Sequence, residues 1–263
     1  MNRRYRVLRR SLATALLLAA AVTTLAAAPE PTPEQQPPLD TGQFTISVDG
    51  RRLGVERFTF RELGDSLCLS SQTLMVQDMG DGRRDTVNKQ VFMAVGKDDY
   101  LLHAYQSNET FRGRQQIRGI VMGDTLFTLY REVDGHGSGD RLILPPGRMY
   151  VMDSRLFSLI ELVTLSLHGQ TFDRRPVTVL TLGDRDTVVE ATLARAGRDT
   201  LRVAGAATPA TRWQLIQGPV TLQLWTDAVG RLLRVAHPPT GLLVERQPAR
   251  VKPASKPPAK RGG

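Results

Sequence analysis

Across residues 43–247, apolar and polar positions alternate with a period of two. Phe44-Thr45-Ile46-Ser47-Val48 alternates cleanly, and Asp49-Gly50 then supplies a tight turn. Arg57-Phe58-Thr59-Phe60-Arg61 places both rings on one face, and Leu126–Tyr130, Val177–Leu180, Thr187–Glu190 and Leu222–Trp225 continue in the same manner. A period of two puts alternate side chains on opposite faces of a strand, so the pattern predicts antiparallel hairpins with one buried face. Four Asp-Thr pairs, at 85–86, 124–125, 186–187 and 199–200, each follow a nearby glycine and open a β-rich run. They are read as hairpin connections, because Asp accepts from turn amides and Thr begins the strand. Their irregular spacing argues against a solenoid or propeller.

One segment breaks the alternation. Leu156, Phe157, Ile160, Val163 and Leu167 recur at helical spacing, and Leu159, Leu162 and Leu165 extend the apolar surface nearly all round. That predicts one buried α-helix over about 154–168, capped by Asp153 or Ser154 and stopped at Gly169. Pro145-Pro146-Gly147 marks a sharp crossover before it. The expected fold is mainly β: a single curved antiparallel sheet or half-barrel wrapped around one central helix. Leu232-Leu233-Arg234-Val235-Ala236 and Leu242-Leu243-Val244 are apolar on both faces. Such strands need cover from the helix, the opposite wall or a ligand.

The ends differ from this middle. Residues 1–27 read as a signal peptide, with Arg3, Arg4, Arg6, Arg9 and Arg10 preceding an uncharged Ala/Leu-rich run that ends in Ala26-Ala27-Ala28. The alternative is an uncleaved N-terminal helix that anchors the chain. Residues 28–42 form a Pro-rich linker, 43–247 the β domain, and 248–263 a basic Pro/Lys tail expected to be disordered. The expected location is periplasmic or secreted, within a bacterial cell envelope. Net charge supports that reading. Of the formal +9 of the 263 residues, five positive charges lie in 1–28 and five in 247–263, leaving 29–246 at −1. A nucleic-acid-binding domain would carry its cationic excess on the folded face, so none is expected. Lys252, Lys256, Lys260 and Arg261 could instead meet an anionic membrane or wall polymer.

The chemical motifs are weak. Cys68, in Leu67-Cys68-Leu69, is the one cysteine, and it reads as a small buried hydrophobe. His103, His136, His168 and His237 are scattered singly, so the sequence offers no zinc or iron–sulfur ligand set and implies no cofactor. Asp78, Asp81 and Asp85 are interrupted by Arg83 and Arg84 and read as a turn rather than a calcium loop. Gly64-Asp65-Ser66-Leu67 matches the GDSL esterase signature, in which the serine is the nucleophile. That family also needs a late Asp-x-x-His and a Gly-x-Asn-Asp block, and both are absent here. Residues 134–140, Asp-Gly-His-Gly-Ser-Gly-Asp, read as a long hairpin tip holding His136. Trp213 and Trp225 lie on neighbouring strands as candidate ligand-stacking residues, against the commoner role of aromatics as core.

Residues 224–235, Leu-Trp-Thr-Asp-Ala-Val-Gly-Arg-Leu-Leu-Arg-Val, followed by Gly241–Arg246, look like the closing hairpins of uncharacterised secreted bacterial β proteins. These broadly resemble the LolA/LolB-like periplasmic lipoprotein-carrier half-barrels. The resemblance implies a curved sheet covering helices and holding an acyl chain, and it carries no binding residue onto this sequence. The expected function is non-catalytic binding of an apolar or amphipathic ligand, a lipid for example, or an accessory role in envelope assembly. Two alternatives stand beside it: a secreted serine hydrolase using Ser66 or the His136 loop, and an interaction module docking through the basic tail.

Overall fold

The computed structural model describes residues 37–247 apart from 79–81, 184 and 204. The signal-peptide segment, most of the linker, the tail and Asp81 lie outside the described residues. The strands are β1 (Asp40–Val48), β2 (Arg51–Leu63), β3 (Ser66–Asp78), β4 (Arg84–Gly96), β5 (Leu102–Phe111), β6 (Arg114–Met122), β7 (Leu126–Val133), β8 (His136–Ile143) and β9 (Met149–Asp153). Helix α1 (Ser158–Ser166) follows, then β10 (Arg174–Leu182), β11 (Thr187–Val203), β12 (Ala206–Gln217), β13 (Val220–Thr226), β14 (Leu232–His237) and β15 (Leu242–Gln247). All fifteen strands form one sheet, in the order 8-7-6-5-4-3-2-1-15-14-13-12-11-10-9. Every pairing is antiparallel except β9 with β10, where α1 supplies the crossover that parallel neighbours require. The expected order of hairpins, one helix, hairpins therefore holds, as does the mainly β class.

The sheet curls. Buried side chains from strands far apart in the order, Phe127 and Leu129 on β7 with Phe44 on β1 and Val179 on β10, belong to a single apolar cluster. Leu159, Ile160, Leu162 and Val163 of α1 lie in the same cluster and are at most 4% exposed. The helix thus fills the concave face, and each such side chain contributes about 1.5–3 kcal/mol of burial. Strand alternation dictates the inward set: Phe58 and Phe60, Leu67 and Leu69, Val91 and Met93 are buried, whereas Arg57, Ser70 and Gln90 face solvent.

The two-faced strands find cover on both sides. Leu232, Val235 and Val244 join the inner cluster. Leu233 joins a small outer cluster with Leu201, Ala210 and Trp225. The far part of the β11–β12 hairpin supplies it, bent at the register shift between Arg195 and Gly197.

Several sequence expectations need correction. The helix begins at Ser158 rather than 154, and neither Asp153 nor Ser154 caps it. Asp153 ends β9 and is held in a buried ion pair with Lys89 at 2.6 Å. The first strand starts at Asp40 rather than 43, because residues 40–42 already pair with Phe58–Phe60 of β2, and the Asp40 side chain meets Arg246 of β15 at 2.5 Å. Asp199-Thr200 is no turn but lies within β11, where Asp199 accepts from the Trp225 indole at 2.7 Å. The stretch 134–140 is not a long tip. Asp134 and Gly135, with φ of 50° and 81°, make a tight turn, and His136 to Asp140 already belong to the exposed edge strand β8.

Candidate functional site

Antiparallel strands put alternate turns at opposite ends of the sheet. The β1–β2, β3–β4, β5–β6 and β7–β8 turns share one end with the N-terminus of α1, and that end is called here the mouth. Inward-facing positions near it are polar, although they keep the parity of the apolar core positions further along the same strands.

Glu56 stands in phase with Phe58 and Phe60, and it is fully buried. Its carboxylate accepts from the Ser71 and Ser158 hydroxyls at 2.7 and 2.5 Å, and from the backbone N–H groups of Phe157 and Ser158 at 2.7 and 3.2 Å. The first amides of α1 lack intrahelical partners, and they carry the positive end of the helix dipole. A carboxylate from β2 therefore does what the local side chains do not. Burial pushes the Glu56 carboxyl above its ordinary range, against the downward pull of the Ser158, Phe157 and Ser71 hydrogen bonds.

Further along α1, Glu161 meets Arg246 at 2.9 Å, and Arg246 spans from it to Asp40. The guanidinium lies 5.1 and 5.9 Å from the ring centroids of Phe58 and Phe44. Burial also raises Glu161, with Arg246 opposing. At the opposite end, the Thr164 hydroxyl donates to Gly230 O at 2.8 Å. Gly230 has φ 85°, and a Cβ there would come within 3.0 Å of His168, so this turn needs glycine to close on the helix.

A second buried group sits on β4, β5 and β9. Lys89, 2% exposed, pairs with Asp153 at 2.6 Å and Glu109 at 3.0 Å. Tyr105 donates its hydroxyl to Asp153. Burial and the Asp153 charge hold that phenol well above its usual range. Arg155, at φ 69°, reaches Glu109 at 2.9 Å and Gln77 at 3.0 Å.

Beyond this group the mouth opens into two cavities. One, of about 330 Å³, lies between β5, β6 and β7, where Phe111 and Val133 sit beside Glu109, Arg112, Arg114 and Arg131. The other, of about 450 Å³, is lined by Arg83, Arg84, Asp85 and Arg112. Arg112 lines both. Together they present five guanidiniums and two carboxylates, with an apolar floor. Deeper in, Arg118 and Arg131 converge on the Gly183 carbonyl at 2.8 and 3.4 Å. Arg114 pairs with Asp134 at 2.7 Å, and Arg114 holds that carboxyl below its ordinary range.

The residues singled out by sequence are dispersed. Ser66 sits at the end opposite the mouth, in a Gly64-Asp65 turn, with its hydroxyl 3.3 Å from His103 Nδ1. Sequence reasoning had not linked His103 to it. Asp65 Oδ1 contacts the serine hydroxyl at 3.4 Å, whereas in a triad the acid orients the base. His136 lies at the mouth, its Nδ1 3.2 Å from its neighbour Asp134 O. Trp213 and Trp225 do lie on neighbouring strands but face opposite ways. Trp213 packs tilted against Phe172, with ring centroids 5.4 Å apart, beside the inner core, and donates to Thr226 at 3.1 Å. Trp225 is buried in the outer cluster. Trp225→Phe is expected to cost about 1 kcal/mol in thermal unfolding, since Asp199 loses its indole donor. An unchanged melting temperature would mean that water serves Asp199 equally well.

No family model matches the chain, and no curated protein matches it. Among solved structures it is similar to a β-barrel-like protein of a domain of unknown function, DUF1849, from Brucella abortus, at 8% identity and a TM-score of 0.55. The similarity covers 79% of this chain and 94% of that one. It places the fold among β-barrel-like proteins.

Proposed function

We propose that the chain is an exported, non-catalytic cell-envelope protein that holds an amphipathic ligand at the mouth of its curled sheet. The observation that carries this reading is the cavity in which Phe111 and Val133 lie beside Arg112, Arg114 and Arg131. An apolar floor next to a cationic wall suits a molecule with an apolar body and an anionic head. The LolA/LolB-like resemblance is supported only in outline, by a curved sheet wrapped around a helix. Since α1 occupies the concave face, the ligand is assigned to the mouth rather than to the interior. Export is supported by the cationic start, the apolar run and the Ala26-Ala27-Ala28 site.

Titration of the full chain with a fluorescent fatty acid and a fluorescent phosphatidate tests the ligand part. Saturable enhancement with at least one of them, weakened in an Arg112→Ala, Arg114→Ala double variant, is the expected outcome. Saturable binding of neither probe overturns the proposal. Fusion of residues 1–36 to alkaline phosphatase tests export, and a fusion without periplasmic activity rejects it.

A further inference from the structure

We infer that β8 is a self-association edge, pairing antiparallel with β8 of a second copy in a register centred on Gly139. The inference is independent of the ligand-binding reading of the mouth.

The sheet ends at β8 on one side and at β9 on the other. Strand β9 is short and largely buried, whereas every residue of β8 except Leu142 is exposed. The backbone groups of β8 divide by parity. The two-residue turn at Asp134-Gly135 makes Val133 and His136 a hydrogen-bonded pair, and Leu144 N donates to Thr125 O at 2.9 Å in the same phase. Even-numbered residues of β8 therefore bond to β7. Gly137, Gly139, Arg141 and Ile143 direct their N–H and C=O groups away from the sheet. Neither proline, lysine nor a bulge guards this edge.

The charges on the edge select the occupant and the register. In a two-fold strand pair, one residue lies opposite its own copy. Centring on Asp140 or Arg141 sets two carboxylates or two guanidiniums directly opposite, which is destabilising. Centring on Ser138, or nearer the turn, shortens the ladder. Centring on Gly139 opposes Gly137 to Arg141 and Ser138 to Asp140, so no like charges meet. Glu132 of β7 pairs with Gly137. Arg141 of the second copy then lies in the row of Glu132, two strand spacings or about 9–10 Å away, with only a glycine between. Neither Arg141 nor Glu132 has an ion-pair partner among the described residues, and Glu132 accepts from the Tyr130 hydroxyl. A Cβ at 137 would come within 2.9 Å of that hydroxyl, so glycine leaves the tyrosine room beside the incoming guanidinium. Within one copy Arg141 pairs with Thr128 instead, so the charge contact forms only between copies. The chain's own ends are poor occupants. Residues 29–38 and 251–263 carry proline every few positions, and proline lacks the N–H that a ladder needs.

Sedimentation equilibrium of the full chain is the test. A reversible monomer–dimer equilibrium is expected, with a dissociation constant on the order of 10–100 μM, because one short ladder makes a small interface. Arg141→Glu is expected to weaken it about tenfold by facing Glu132, and the exchange Arg141→Glu, Glu132→Arg to restore it. Gly139→Pro removes an outward N–H and none that bonds β7, and it is expected to abolish the dimer. A chain still monomeric at about ten times those concentrations overturns the inference and leaves the edge to a foreign strand. A dimer untouched by Arg141→Glu or by Gly139→Pro overturns it, as does a folded exchange variant that stays monomeric.

Discussion

Replacing Glu56 by Ala is expected to lower the unfolding free energy by about 3 kcal/mol or more in urea titration. The change leaves two hydroxyls and two helix amides facing one another in a site without water-facing alternatives, each orphaned donor costing about 1–3 kcal/mol. Glu56→Gln should recover part of the loss, since its amide oxygen still accepts while its NH₂ opposes donors. Either variant also separates from the wild type by pH. Burial raises the folded pKa of Glu56 above its unfolded value. Between those values the folded chain keeps a proton that the unfolded chain has released, so this contribution to stability falls as pH rises through the window. Both variants remove this slope and leave the parallel one from Glu161. A loss below about 1 kcal/mol for Glu56→Ala would show that the α1 amides find other acceptors.

Lys89→Met should be similarly severe, about 3–5 kcal/mol, because it strands Asp153 and leaves Glu109 dependent on Arg155. The cost comes from the uncompensated carboxylate rather than from lost packing. Adding Asp153→Asn should therefore restore much of the stability, as the amide oxygen still accepts from Tyr105. A double-mutant cycle measures the coupling. Additive losses would place the main partner of Lys89 elsewhere.

These two residues also mark what was legible in the sequence. Period-two alternation revealed the sheet, and the all-round apolar stretch at 156–167 revealed the helix, because both are local signals. The helix start departs from the local capping expectation because the carboxylate that satisfies the N-terminus lies 101 positions before Phe157. A usable signal did exist. Glu56 shares parity with Phe58 and Phe60, and Lys89 with Val87 and Val91; Ser107 and Glu109 share it with Tyr105, and Arg118 with Ile120. Charged residues in the inward phase of alternating strands point to buried pairing or an opening. Which of them meet depends on how far the sheet curls, and period alone does not encode that. His103 beside Ser66 was hidden for the same reason, as was the place of Arg112 in the lining of both mouth cavities. Trp213 and Trp225 were placed on adjacent strands correctly, but their opposite facing follows from the Trp213–Leu224 and Arg212–Trp225 register.

The order of strands around the sheet repeats their order along the chain, with the break between β8 and β9. Among the described residues, all strand pairings join neighbours in sequence except one, β1 with β15. That single ladder closes a loop of nearly the whole domain, so its closure entropy is the largest of any strand pairing. Gln43 and Gln247 are partners in it. A circular permutant that joins these ends and opens the Pro145-Pro146-Gly147 connection would turn every strand pairing into a contact between sequence neighbours. The same architecture would then fold as a run of sequential pairings, a meander from β10 onward preceded by the β9–α1–β10 crossover, with its longest closure made covalent.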